Sequence, residues 1–102
     1  MGPEAKIEAA FVRYAKSKRC LCYKFTSPSR RSAPDRIVVT PSGVTGYLEL
    51  KAPGKKPSKA QAFQIRKLQQ NGAPCSYADT LDKAKFWLDQ LLELPGPGAD
   101  VL

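Results

Sequence analysis

Asp35, Glu49 and Lys51 are the side chains whose types and spacing can do chemistry together in this 102-residue chain. Ile37 to Thr40 and Val44 to Lys51 are runs of strand formers joined through Pro41, Ser42 and Gly43, residues that favour a tight turn. If Thr40 faces Val44 across that turn, counting outward sets Ile37 against Tyr47 and Asp35 against Glu49. Directly opposed residues on an antiparallel pair hold their Cβ atoms about 5 Å apart, and like charges there are destabilising unless something compensates. A divalent cation would compensate. Strand alternation sends Leu48 and Leu50 to the core-facing side and brings Lys51 back to the side of Glu49. Two carboxylates holding a mostly hydrated Mg²⁺, with an ammonium beside them, suit the hydrolysis of a phosphodiester. In that chemistry Lys51 orients the attacking water or stabilises charge building on the phosphate. It is not assigned as a base, because neighbouring carboxylates favour its charged form. The plain structural alternative makes Asp35 a turn cap after Pro34, with Glu49 and Lys51 solvated on an open sheet face; what separates the two readings is whether the carboxylates meet.

The chain has no histidine, which removes a Ser-His or Cys-His relay and any His-containing zinc site. Its three cysteines, Cys20, Cys22 and Cys75, are too few for a four-thiolate zinc site and odd in number for a disulfide framework. They read as small buried hydrophobes, with a redox role as the alternative. Lys and Arg total 17 against 9 acids, a formal charge of +8 and a pI near 9.6. That balance favours a polyanionic partner, nucleic acid first, although basic surfaces also serve solubility. No apolar run approaches the roughly 20 residues that span a bilayer, and the N-terminus carries no export-signal pattern. The expectation is a single intracellular domain with no membrane association.

The elements that must position these side chains follow from periodicity. Ile7, Ala10, Phe11, Tyr14 and Ala15 recur at helical spacing and predict a helix over Glu4 to Arg19, with Lys6, Arg13 and Lys16 on its other side. Winding at about 100° per residue places Glu8 between Ala15 and Val12, inside the apolar arc, where a carboxylate needs a partner. Cys20 to Phe25 reads as a strand, and Thr26 to Ser32 as a polar, basic loop. After the hairpin, Ala52 to Pro57 is a turn-rich basic connector. Ser58 then caps a second helix, Gln61 completes a capping box, and Gly72 stops it. Its inner face carries Ile65 and Leu68. Pro74 to Ala78 is a short strand, and Thr80 caps a last helix striped by Leu81, Ala84, Leu88 and Leu91 and widened by Trp87 and Leu92. The order helix, three strands, helix, strand, helix predicts an α/β domain over residues 1–94, with a small mixed sheet of about four strands flanked by helices. Residues 95–102 are expected to form a flexible tail.

Lys24-Phe25-Thr26-Ser27-Pro28, Ala33-Pro34-Asp35-Arg36-Ile37-Val38, Tyr47-Leu48-Glu49-Leu50-Lys51-Ala52-Pro53-Gly54-Lys55 and Pro57-Ser58-Lys59-Ala60-Gln61 occur in this order in the chain. Together they resemble the virus-type replication-repair nuclease (VRR-NUC) domain, in its stand-alone form, over roughly Glu4 to Leu91. The resemblance implies the restriction-endonuclease-like PD-(D/E)xK fold, with Asp35, Glu49 and the backbone carbonyl of Leu50 as ligands of Mg²⁺ or Mn²⁺ and Lys51 as the catalytic lysine. The family pattern also has a glutamate on the first helix and a glutamine on the helix after Glu-x-Lys, which match Glu8 and Gln61. For Gln61 a contribution to the site is compatible with its capping role. For Glu8 the expected contact is with metal or water, and a buried pair with a nearby Lys or Arg is the alternative. Ala33 departs from the family, where many relatives carry Gly; this touches the turn and leaves the chemistry alone.

Single-domain members of the family look like homodimeric Holliday-junction resolvases, which implies a branched DNA substrate and work in the cytoplasm, at the nucleoid or in a phage-infected cell. DNA contacts are expected from Lys24, Ser27, Arg30 and Arg31 on one side of the site and from Lys55, Lys56 and Lys59 on the other. Such backbone contacts position a duplex without reading bases. The competing readings are an endonuclease for flaps, nicks or single strands, a nucleic-acid-binding module that no longer cuts, and a basic domain for an acidic protein partner. The last leaves the facing carboxylates unexplained.

Overall fold

The computed structural model describes residues 1–26 and 32–97. The elements are α1 (Pro3–Ser17), β1 (Leu21–Lys24), β2 (Arg36–Val39), β3 (Thr45–Leu50), α2 (Lys59–Gln70), β4 (Cys75–Ala78) and α3 (Leu81–Glu93). β1, β2 and β3 form an antiparallel meander, and β4 lies parallel to β3, so the sheet order is β1-β2-β3-β4. A parallel neighbour requires a crossover, and α2 supplies it. This is the mixed α/β sheet that the order of elements implies.

α1 buries Ile7, Phe11 and Ala15 at the spacing of one helical face. It stops two residues short of the predicted end. The Cys20 N–H returns to the Ala15 carbonyl at 3.0 Å while Arg19 takes a left-handed φ of 62°. Helices often end through a left-handed residue, but that residue is usually Gly, so nothing in the sequence marks this turn. Cys20 consequently precedes β1, although its side chain stays in the core. α2 has the predicted capping box: Ser58 Oγ accepts from Gln61 N at 3.1 Å and Gln61 Oε1 accepts from Ser58 N at 2.9 Å. Gly72 follows its C-terminus in the left-handed region, with φ 82°. α3 starts where Thr80 Oγ1 accepts from Lys83 N at 3.1 Å.

α1 and α3 cover one face of the sheet together. Phe11, Ala15, Ala84, Leu88 and Leu91 pack there against Val38, Leu48, Leu50 and Ala78. Phe11, Leu48, Leu50, Leu88 and Val38 are the largest fully buried side chains, each stabilising the fold by roughly 1.5–3 kcal/mol. Trp87 meets Phe11 in a tilted arrangement with ring centroids 6.4 Å apart. Because Leu48 and Leu50 point into this layer, Glu49 between them points to the opposite face, where α2 lies. The three cysteines are free, Cys20 and Cys75 buried and Cys22 partly so. Burial raises all three thiols, Cys75 to about 11, which suits packing better than reactivity. Of the expected tail, residues 98–102 lie outside the described residues, while Gly96 sits against the Ser42 backbone of the β2–β3 turn. No helix among the described residues is long and apolar enough to cross a membrane.

Gly46 on β3 is where strand and helix approach most closely. A Cβ there would sit 2.8 Å from Trp87 and 3.0 Å from Leu91, both part of the α3 stripe. Gly46→Ala is therefore expected to lower stability by about 1–3 kcal/mol through overpacking. Urea unfolding checks this, and an unchanged midpoint would mean that α3 yields freely.

Candidate active site

The turn sets the register on which the site depends. Thr40 N donates to Val44 O at 2.9 Å, and Val44 N donates to Thr40 Oγ1 at 3.1 Å. From there Ile37 faces Tyr47 and Arg36 faces Leu48, so the next step outward brings Asp35 opposite Glu49. Asp35 stands just before β2, and its carbonyl accepts from Phe25 N at 2.6 Å, which ties it to the chain leaving β1.

Glu49 is only 3% exposed. Gln61 Nε2 donates to its Oε2 at 3.1 Å, and Lys51 Nζ lies 3.4 Å from the same oxygen. The Asp35 carboxyl lies near enough to act on the charge of the Glu49 carboxyl. The other oxygen, Glu49 Oε1, is buried without a partner among the described residues. Burial pushes Glu49 up to about 7, the Asp35 charge pushes the same way, and Lys51 opposes both. With both acids ionised, two negative charges share, among the described residues, one ammonium in a site nearly closed to solvent. Gln61 bridges two needs with one amide: its oxygen serves the Ser58 N–H and its nitrogen serves Glu49, so the neighbours dictate which way the amide points.

This donor set fits a hard divalent cation. Asp35 and Glu49 offer carboxylate oxygens, and the unpaired Oε1 is a buried acceptor in need of a positive partner. No group of three or more His, Cys, Asp or Glu gathers among the described residues, so the remaining coordination would fall to water, backbone or phosphate oxygens, as Mg²⁺ tolerates. The Leu50 side chain is 1% exposed and belongs to the α1–α3 core, leaving only its backbone carbonyl for such a role.

Glu8 is placed elsewhere. Its Oε2 receives Arg36 Nε at 3.1 Å, with the two side chains 25% and 13% exposed. Arg36 is the register partner of Leu48, so this pair lies on the α1 face of the sheet and Asp35 on the other. The partner that the apolar arc demanded of Glu8 is thus an arginine, the ion-pair alternative to a metal contact. Lys24 pairs in register with Arg36 and shares its face; it is exposed, as are Lys55, Lys56 and Lys59 on the α2 side of the chain. Ser27, Arg30 and Arg31 lie outside the described residues. Two residues with evident structural roles near the site, Arg36 and Asp79, were not singled out from sequence. For Arg36 the signal was available, since Glu8 required a cation; for Asp79 there was none.

No protein-family model matches the chain. It is 37% identical over 79 residues to the protein named "Putative nuclease p44" of Acyrthosiphon pisum secondary endosymbiont phage 1, a match covering 78% of this chain and 85% of that protein. Two solved structures share the fold. One, a VRR_NUC domain, superposes with a TM-score of 0.80 at 20% identity, covering 87% of this chain and 97% of its own. The other, a VRR_NUC domain protein, superposes with a TM-score of 0.75 at 15% identity, covering 94% and 93%. The chain belongs to the same family as that phage protein, and its fold is that of the VRR_NUC domains. The facing acids therefore sit in the fold of the VRR_NUC domains.

A folded-state value near 7 for Glu49, above its ordinary 4.5, means that the metal-free fold binds this proton more tightly than the unfolded chain. The destabilisation is absent below about 4.5, grows as pH rises through about 7, and is then constant. In chelator, Glu49→Gln is expected to raise the Tm at pH 8 and to lose most of that advantage at pH 5. An equal difference at both pH values would show that ionisation of this carboxylate is not the source.

Proposed function

We propose that this chain is a nuclease of the VRR-NUC type: a metal-dependent, structure-selective DNA endonuclease that resolves four-way junctions as a homodimer. The observation that carries the chemical part is the solvent-poor pairing of Glu49 with Asp35, one Glu49 oxygen lacking any partner among the described residues, beside a single ammonium. Asp35 and Glu49 would hold the ion, with the Leu50 carbonyl as a further ligand. Bound Mg²⁺ or Mn²⁺ supplies Lewis acidity, neutralising charge on the scissile phosphate and acidifying water.

The chain's own residues do the rest. Gln61 restrains the Glu49 carboxylate through Oε2 and so leaves Oε1 available. Lys51, charged beside two acids, stabilises the negative charge that develops on the phosphate oxygens, where a fixed cation in a water-poor site acts strongly. Glu8 acts at one remove, by holding Arg36 and through it the start of β2 that carries Asp35. Lys55, Lys56 and Lys59 meet phosphates beside the site, with Ser27, Arg30 and Arg31 as the further contacts expected from sequence, so recognition follows DNA shape more than sequence. One hairpin site cuts one strand, and paired incision of a junction calls for two copies related by a two-fold axis.

The test incubates the chain with labelled four-way junction, flap, single-stranded and duplex DNA in Mg²⁺, Mn²⁺ or chelator. Chelator is expected to abolish cleavage, and Asp35→Ala and Lys51→Ala to lower kcat by about 10²-fold or more. Cleavage surviving both substitutions would overturn the mechanism, and cleavage confined to flaps or single strands would remove junction resolution while leaving the nuclease. Affinity should fall steeply with added salt; a flat dependence would mean that the lysines do not engage phosphates.

A further inference from the structure

The segment between β3 and α2 carries Lys55 and Lys56 and is fixed at three points. At its start Lys51 N donates to Ala78 O at 2.9 Å, joining the ends of the parallel strands β3 and β4. At its end the Ser58–Gln61 capping box leads through the Gln61 amide to Glu49. Its middle is held by Asp79, the residue after β4, whose Oδ2 accepts from Gly54 N at 3.2 Å. Gly54 has a φ of 80°, a conformation that a side chain would strain, and Lys55 N closes the turn onto Ala52 O at 2.9 Å. The other Asp79 oxygen receives Lys83 Nζ at 2.8 Å, and the Asp79 side chain is only 14% exposed. Lys55, Lys56 and Lys59 form no ion pair with described residues and are exposed.

We infer that Asp79 is a positioning residue for DNA binding: by accepting the Gly54 N–H it holds the Lys55–Lys56 turn in place at the Glu49–Lys51 end of β3 before DNA arrives. The inference rests on the reading of Lys55 and Lys56 as phosphate contacts. An acid beside a phosphate-binding turn would ordinarily repel the ligand, but the Lys83 ammonium balances the Asp79 charge, so the residue serves as an anchor without opposing the field of the lysines. The same ion pair holds the Asp79 carboxyl below the usual carboxylate range, with the Gly54 N–H helping, so the anchor is ionised wherever the lysines are useful. Ordering the turn in advance removes that entropy loss from the binding step.

The experiment compares the full chain with Asp79→Ala, Asp79→Asn and the double variant Lys55→Ala/Lys56→Ala. It measures amide hydrogen exchange at Gly54, the Kd for labelled four-way junction DNA in chelator, and kcat and KM with Mg²⁺. Asp79→Ala should speed exchange at Gly54 and weaken Kd and KM by about three- to tenfold, with kcat nearly unchanged, because only the ordering of the turn is lost. Asp79→Asn, which keeps an oxygen for the Gly54 N–H, should recover most of both effects. Asp79→Ala added to the double lysine variant should cost little more, since the turn then has no cation to place. Unchanged exchange in Asp79→Ala overturns the tie, and faster exchange with unchanged Kd overturns the positioning role. An Asp79→Asn variant as impaired as Asp79→Ala assigns the effect to charge and overturns the hydrogen-bonded anchor. Should the double lysine variant itself bind DNA like the wild type, the failure lies in the reading of those lysines as phosphate contacts, and the role of Asp79 falls with it.

Discussion

A carboxylate that is 3% exposed and faces a second carboxylate is an unfavourable thing to build into a small domain, and the structure is organised around tolerating it. Removing Glu49 from water penalises its charged form, and Asp35 adds repulsion that Lys51 offsets only in part. The neighbours restrain the acid without satisfying it. Both described contacts, Gln61 and Lys51, fall on the same oxygen and leave the other without a partner. The rest of the fold must supply enough stability elsewhere to keep such a group in place.

It does so by dividing labour between the two faces of the sheet. The α1–α3 side holds nearly all of the fully buried apolar residues, so Leu48 and Leu50 lock β3 in position and fix where Glu49 points. The α2 side buries less and carries the polar chemistry. The crossover through α2 also matters: parallel pairing with β4 puts Asp79 next to the segment that leaves β3, and returns α2 so that Gln61 reaches back to the strand preceding it. Antiparallel pairing on one side of β3 thus delivers the opposing acid, and parallel pairing on the other delivers the groups that steady it.

How much of this could be read from residues alone depends on the range of the interaction. The β2–β3 register follows from a three-residue turn and strict alternation, so the meeting of Asp35 and Glu49 was legible, as were the capping box at Ser58 and the stripe of α3. The end of α1 was not, because Arg19 occupies a left-handed position that glycine usually announces. Periodicity showed that Glu8 lay on an apolar arc but not which cation it would meet; Arg36 is 28 positions away, and only the sheet register puts it on the α1 face. The same register puts Lys24 on that face, whereas its place in the sequence beside the basic loop suggested only proximity to the acids. Asp79 and Gly54, 25 positions apart, meet through the parallel pairing of β3 and β4, which no local pattern encodes.

The identity of residue 61 carries the logic one step further. A lysine or arginine there could also have donated to Glu49 Oε2, and it would have lowered the cost of burying the acid. It would also have balanced the second negative charge, leaving two cations for two carboxylates among the described residues and no deficit for a further cation to fill. An amide provides a hydrogen bond and directs the carboxylate while leaving the net charge of the cluster negative. Its oxygen is meanwhile engaged by the Ser58 N–H, so the helix cap itself orients the amide and through it Glu49. Positional order and charge deficit are thus set independently, the first by a neutral donor on a capped helix and the second by one ammonium facing two acids. That combination leaves a fixed, negatively charged cluster of the kind a divalent cation suits, and nothing among the described residues substitutes for one.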